Sequence, residues 1–272
     1  MYDSLSNFDP NIWKICSFFP NIKILSFSKK INQFCIQNNL NYLYCRYFLK
    51  PKVNTSSVGK KIKILFWYRG KIKFHDWIKY INLNEVKCIN YYTLIDPFYK
   101  KEKFTKDDIK KYKLNIVKGN YKSSKKKFLQ LLNNSDVFVS PRTKEGIGMS
   151  FIEALSRSKY LLAYNYSTMN DYIINDKYGY LLKNKADKLK KINISKIKNY
   201  SKNRYKFSQL LYKEWLSKKK YIESIYDFEI KNINSFFNVK FFILFIYNVI
   251  FEIKNKAKLI IRKSLNINYK KL

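Results

Sequence analysis

The sequence predicts an α/β protein built on a parallel sheet, with a short segment before it and a helical stretch after it. Three observations carry this. From about residue 60, short β-rich apolar runs alternate with stretches of helical apolar spacing, and this alternation stops near residue 184. The one tight cluster of glycines, Gly146 and Gly148, falls between the end of such a run and the start of a helix. Strands and helices that alternate regularly give a parallel sheet covered on both faces. Ligands in such sheets bind beyond the carboxyl ends of the strands.

Taken in order, "KIKILFWY" (residues 61–68) reads as a buried strand and "HDWIKYI" as the helix after it. "VKCINYY" (86–92) and "KLNIVKG" (113–119) read as the next two strands. "SSKKKFLQLLNNS" has helical spacing at Phe128, Leu131 and Leu132. "DVFVS" (136–140) is a fourth strand, "MSFIEALSRS" a helix, "YLLAY" (160–164) a fifth strand, and "TMNDYII" a helix before a turn at Gly179. Upstream, "NIKILSFSKKINQFCIQNNL" reads as one more strand and helix, and "YFLKPKVNTSSVGK" as a linker. Downstream, "NRYKFSQLLYKEWLSKKKYIESIYDF" is helical. The expected organisation is therefore a short segment over residues 1–57, the α/β domain over 58–190 and a basic helical tail over 191–272.

Composition sets limits on function. With 46% apolar and 18% aromatic residues among 272, the chain has ample material for a core. The formal charge of +36, from 55 basic and 19 acidic residues, suits a polyanionic partner. It equally suits a drift toward the Lys, Asn, Ile, Tyr and Phe that AT-rich codons encode, since the lysines are spread along the whole length. No helix-turn-helix, zinc-finger or aromatic RNA-binding signature accompanies the charge, so a nucleic-acid partner is not expected. Cys16, Cys35, Cys45 and Cys88 form no CxxC pair, and His75 is the only histidine. No metal is expected, and His75 reads as a surface or packing residue. The start has no signal peptide, which points to a reducing cytoplasm. Residues 241–253, "FFILFIYNVIFEI", are too short to span a bilayer. They read either as a docked core helix or as a helix lying in the plane of a membrane surface.

The stretch "SPRTKEGIGMSFIEAL" concentrates the chemistry. Glycines 146 and 148 permit unusual backbone angles and let a ligand approach the main chain. The free N–H groups of a helix starting near Met149 favour phosphate oxygens. Glu145 on the loop and Glu153 on the first turn can each accept two hydroxyl hydrogen bonds, as a sugar diol requires. "SFIE" also has the form of a capping box, with Ser150 as N-cap and Glu153 reaching back to it. At the carboxyl end of the first strand, Arg69, Lys71 and Lys73 offer positive groups on the same side of the sheet.

The ordered series "SPRTKEGIGMSFIEALSRSKYLLAYNYSTMNDYIINDKYGYLL" resembles the donor-binding segment of retaining family 4 glycosyltransferases with the GT-B fold. The pattern has an acidic residue, an Ile-Gly pair, a second Glu eight positions after the first, and a helix ending in "EA". Asp171-Tyr172-Ile173 and the Gly-Tyr-Leu turn at Gly179 match its later parts. "SFSKKINQFCIQNN" resembles the last strand and helix of that fold's first domain, which is otherwise nearly absent.

The resemblance implies a Rossmann-like nucleotide-sugar-binding domain and an enzyme of polysaccharide biosynthesis that transfers a sugar with retention of configuration. It implies that Glu145 contacts the donor sugar and Glu153 the ribose hydroxyls. Backbone at Gly146, Ile147, Gly148 and Met149 would line sugar and diphosphate, and Arg69 with Lys71 or Lys73 would neutralise the diphosphate. Glu145, Arg69 and Lys71 are thus the expected catalytic groups, with no cofactor and no metal. The implied partners are a nucleotide sugar, a glycan or lipid-linked acceptor, and an anionic membrane at whose inner face the protein sits peripherally. A separate chain supplying the missing first domain is the alternative in which this one binds donor without turning it over. The pattern usually has Gly where Ser158 stands, so its left-handed turn after the helix is expected to be altered here.

Overall fold

The computed structural model describes residues 23–53, 59–70, 72–94, 99–119, 124–140, 142–143, 146–173, 178–182, 197 and 200–232. Lys71, Glu145 and residues 241–253, all singled out above, lie outside them. The chain divides into two compact units, Met1–Ser217 and Lys218–Leu272.

The first unit opens with a small βαβ motif: β1 (Ile24–Ser26), α1 (Lys29–Gln37) and β2 (Tyr42–Tyr44), the two strands pairing in parallel. Ser28 caps α1 by accepting from the Ile31 N–H. The main sheet follows, with β3 (Ile62–Tyr68), α2 (Phe74–Ile78), β4 (Val86–Thr93), α3 (Lys106–Tyr112), β5 (Leu114–Lys118), α4 (Ser124–Asn133), β6 (Val137–Val139), α5 (Met149–Ser156), β7 (Tyr160–Tyr164), α6 (Met169–Tyr172) and β8 (Gly179–Leu182). The long helix α7 (Ser201–Asn232) closes the described chain and continues into the second unit, where Lys219 pairs with Glu223 at 3.3 Å.

All six strands of the main sheet are parallel and stand in the order β5-β4-β3-β6-β7-β8. The first strand of the sheet is thus central, and the chain crosses from its far edge back to the middle between β5 and β6. The resulting crevice beyond the carboxyl ends of β3 and β6 is where doubly wound sheets bind ligands. The Rossmann-like parallel sheet read from the sequence is present.

The period-two alternation of the strands divides the core. Ile62, Ile64, Phe66 and Tyr68 of β3, with Val137, Val139, Tyr160 and Leu162, pack under Trp77 and Ile78 of α2. Leu65, Phe138, Leu161 and Ala163 face the other way, under Phe128 and Leu132 of α4 and Phe151, Ile152 and Leu155 of α5. Phe48, before the sheet, and Leu211 of α7 complete this second face.

Several local readings change. The turn at Gly179 is a sixth strand whose Gly179 pairs with Leu161; a Cβ there would come within 2.6 Å of the Leu161 carbonyl oxygen. The described first part of the expected linker is packed: Tyr172 donates to the Tyr47 carbonyl at 2.8 Å, and Lys52 N–H to Ser156 O at 2.9 Å. α3 was not expected, because only Ile109 and Tyr112 mark its apolar side, yet it carries a full capping box between Thr105 and Asp108. The box expected at "SFIE" does not form, for reasons that belong to the site below.

The left-handed turn after α5, expected to be altered by Ser158, is kept. Ser158 has φ of 58°, and its buried hydroxyl has no hydrogen-bond partner. A left-handed conformation costs an L-residue roughly 1–2 kcal/mol, and glycine escapes that cost. Ser158→Gly is therefore expected to stabilise the protein by about 1 kcal/mol, raising the thermal midpoint by roughly 2–4 °C; an unchanged or lower midpoint would contradict it.

Candidate functional site

The sheet topology brings two predicted segments to one edge. Phe66 of β3 is in register with Val139 of β6, so Ser140 leaves the sheet level with Trp67, and Arg69 follows at the same edge of the sheet. Gly70 follows Arg69 at φ of 105°, with Tyr99 against it; a Cβ would lie 2.1 Å from the Tyr99 Cβ. Glycine is thus required for the chain to turn directly after Arg69. The Arg69 guanidinium lies 5.1 Å from the Trp67 ring centroid, and Trp67 packs on Phe128. That contact draws the cation to the face of the sheet that carries α5. Lys73 stands at the N-cap position of α2 with its side chain exposed.

Across the crevice, Gly148 is the N-cap of α5 with φ 68° and ψ 52°, and no side chain caps this helix. The glycine admits a left-handed entry, so the helix starts at Met149 and Ser150 lies inside it. Glu153 accordingly does not reach back as a box would. Its carboxylate pairs with Arg157, one turn on, and its carbonyl accepts from Arg157 Nη1 at 2.9 Å and Ser156 Oγ at 3.0 Å. Arg157 is only 4% exposed and also donates Nε to Asn133 Oδ1 at 3.0 Å. Glu153 is held half-buried in a fixed orientation, while the amides at the start of α5 are left without a side-chain cap. Ile147 packs on the second core cluster, and Met149 is 48% exposed beside the crevice.

The structure also shows what sequence spacing did not: the loop between β7 and α6 braces the glycine loop. Thr168 Oγ1 donates to the Gly146 carbonyl at 2.8 Å. On the far side of that loop, Asp171 is 1% exposed; it accepts from the Lys29 N–H at 2.7 Å and the Tyr44 hydroxyl at 3.2 Å. It thereby fastens the small βαβ motif to the rim of the main sheet. Burial, with the Asp171 charge beside it, pushes the Tyr44 phenol up, so it stays a neutral donor.

Other expectations resolve simply. His75 is exposed and stacks edge-on against Phe74 and Tyr112, a packing role as expected. Among the described residues no group of three or more His, Cys, Asp or Glu side chains could hold a metal ion. Among them, too, no helix is long and apolar enough to cross a membrane. Lys159 is buried behind α4, where its Nζ donates to the Asn133 carbonyl at 3.0 Å, and burial pulls its ammonium down to about 8. It caps a helix end and takes no part in the crevice.

Comparison with known proteins finds a family resemblance over part of the chain. Residues 99–213 match the model described as "Glycosyl transferases group 1". No curated protein matches the sequence. Among solved structures, a pneumococcal O-GlcNAc transferase, GtfA, in complex with UDP and GlcNAc aligns over 75% of this chain and 45% of its own, at 12% identity and a TM-score of 0.51. A variant of TarM from S. aureus, in complex with Fondaparinux, alpha-GlcNAc-glycerol and UDP, aligns over 78% and 48%, at 17% identity and a TM-score of 0.52. HepE from Anabaena in complex with UDP aligns over 80% and 69%, at 10% identity and a TM-score of 0.57. At these identities the likeness is one of fold. The chain spans about half the length of the first two.

Proposed function

We propose that the chain, whose residues 99–213 match the model of group 1 glycosyl transferases, transfers a sugar from a nucleoside diphosphate donor to a glycan or lipid-linked acceptor, with retention of configuration. The observation that carries this is the start of α5: a left-handed glycine, helix amides without a side-chain cap, and a glutamate one turn in, at the sheet edge where Arg69 follows β3.

In this reading the amides of Ile147, Gly148 and Met149 line the donor sugar and diphosphate, and Gly146 shapes the loop. Glu153 accepts the ribose hydroxyls, and Glu145 those of the donor sugar. Arg69, with Lys71 or Lys73, meets the diphosphate. The bond from the sugar C1 to the diphosphate oxygen breaks, a C1–O bond to the acceptor forms on the same face, and the acceptor proton leaves with the diphosphate. Fixed cations stabilise the charge that develops on the leaving group. The protein supplies this role with side chains, and the reaction is proposed without a metal.

UDP is the nucleotide to try first, since the pneumococcal, staphylococcal and Anabaena proteins are each described as complexes with it. A ligand at 100 times its Kd stabilises the fold by about 2.7 kcal/mol. UDP at millimolar concentration is therefore expected to raise the thermal midpoint by several degrees. No shift with any nucleoside diphosphate would end the proposal.

A second reading is that this chain, which spans about half of GtfA and TarM, binds the donor and that transfer needs a second polypeptide. Nucleotide binding without turnover, restored to turnover by that chain, is its signature. In either case the basic tail is proposed to hold the protein peripherally at the inner face of an anionic membrane. Equal sedimentation with neutral and anionic vesicles would contradict that location.

A further inference from the structure

A cleft of about 570 Å³ opens between the first turn of α1 and the loop that joins β7 to α6. Its size falls within the range of small-molecule sites. Gln33 lines one wall, and Asn165, Ser167 and Asn170 the other. Amides and hydroxyls both donate and accept hydrogen bonds, as sugar hydroxyls do. Tyr166, 40% exposed, offers a ring face at the same wall. The cleft adjoins the donor loop: Ser167 precedes Thr168, whose hydroxyl bonds the Gly146 carbonyl.

The charge of the cleft is uneven. Among the described residues lining it Asp171 is the only acidic one, and its carboxylate is engaged at the floor by the Lys29 N–H and the Tyr44 hydroxyl. Lys29 and Lys30 both line the cleft with exposed side chains. The Lys29 side chain is not needed to hold Asp171, because its backbone N–H does that. A wall of amides suffices for a neutral sugar. Two adjacent ammonium groups at the mouth of a walled cleft favour an anion attached to that sugar.

We propose that this cleft is the acceptor subsite and that it selects a saccharide bearing a phosphate, with Lys29 and Lys30 as the specificity-determining residues. The proposal rests on the donor-site reading above. It covers two sources of the same chemistry: a phosphate on a ring position of a growing glycan, or the anomeric phosphate of a lipid-linked sugar.

The test holds the protein at saturating UDP and about 0.15 M salt and titrates glucose 6-phosphate, glucose 1-phosphate, glucose and inorganic phosphate. At least one sugar phosphate is expected to bind about tenfold or more tightly than both glucose and inorganic phosphate. Preference for the 6-phosphate identifies the glycan source, and preference for the 1-phosphate the lipid-linked source. The double variant Lys29→Gln/Lys30→Gln is expected to bind that sugar phosphate no better than glucose. Its unliganded thermal midpoint and its response to UDP should match the parent. The proposal is overturned if glucose binds as tightly as its phosphates or if inorganic phosphate binds as tightly as either of them. Unchanged sugar-phosphate affinity in the double variant, which would assign the effect to the general charge of the chain, overturns it as well. A normal UDP response beside flat sugar-phosphate titrations defeats this inference alone, whereas no UDP response defeats the donor reading beneath it.

Discussion

Glu153→Gln is expected to weaken UDP binding by roughly 10- to 100-fold, and sugar transfer by at least as much, while moving the thermal midpoint little. A hydrogen bond to a charged group contributes about 1.5–3 kcal/mol, and the proposed role gives the carboxylate two hydroxyls of one ribose. Glutamine is the informative replacement because of Arg157, which is 4% exposed and pairs with Glu153. An amide oxygen still accepts from that guanidinium. Alanine would leave a nearly buried cation short of a partner and mix a folding defect into the binding measurement. UDP titration and a melting curve on the same preparation separate the two effects. A glutamine variant that binds UDP like the parent removes Glu153 from the donor site.

Asp171→Ala should have the largest effect on stability, about 3–4 kcal/mol, since it strips two hydrogen bonds from a carboxylate that is 1% exposed. The damage is expected to be local as well as global. The Lys29 N–H and the Tyr44 hydroxyl lose the group that fastens β1, α1 and β2 to the sheet rim, so residues 24–44 should become the first site of protease attack. Asp171→Asn, which keeps one accepting oxygen, should fall between alanine and the parent. An alanine variant within 0.5 kcal/mol of the parent, with α1 as well protected as before, would show that packing alone holds the motif.

Much of the sheet was legible because its central strands, β3, β4, β6 and β7, are buried on both faces and read as apolar runs. The misses have local causes. Gly179–Leu182 is short and begins with glycine, so it reads as a turn until Leu161 is seen to pair with it. Tyr42–Tyr44 is a three-residue strand with no alternation to detect. In α3 the usable signal was present as Thr105 and Asp108, three apart, a pattern sought instead at Ser150 and Glu153. At that second place the backbone angle of Gly148 starts the helix earlier than Ser150 would, and Arg157 competes for the carboxylate. Neither effect is visible in residue types at a spacing of three.

The candidate site divides in the same way. Arg69 and the Gly146–Gly148 loop were readable because each follows a strand, and parallel strands deliver their loops to a common edge. The cleft beside them was not readable, because its walls meet through Lys29 and Asp171, 142 positions apart in the chain. No local pattern encodes a contact of that range; only the assembled sheet makes it.

The hydrogen bond from Thr168 to the Gly146 carbonyl has a thermodynamic corollary. It ties one wall of the cleft to the glycine loop, so a ligand that steadies one is expected to steady the other. Linkage then requires reciprocity: the factor by which nucleotide improves the hold on a sugar phosphate equals the factor by which the sugar phosphate improves the hold on nucleotide. On the proposed reading the two substrates would be joined in their affinities before any bond is broken, through a threonine that need touch neither ligand.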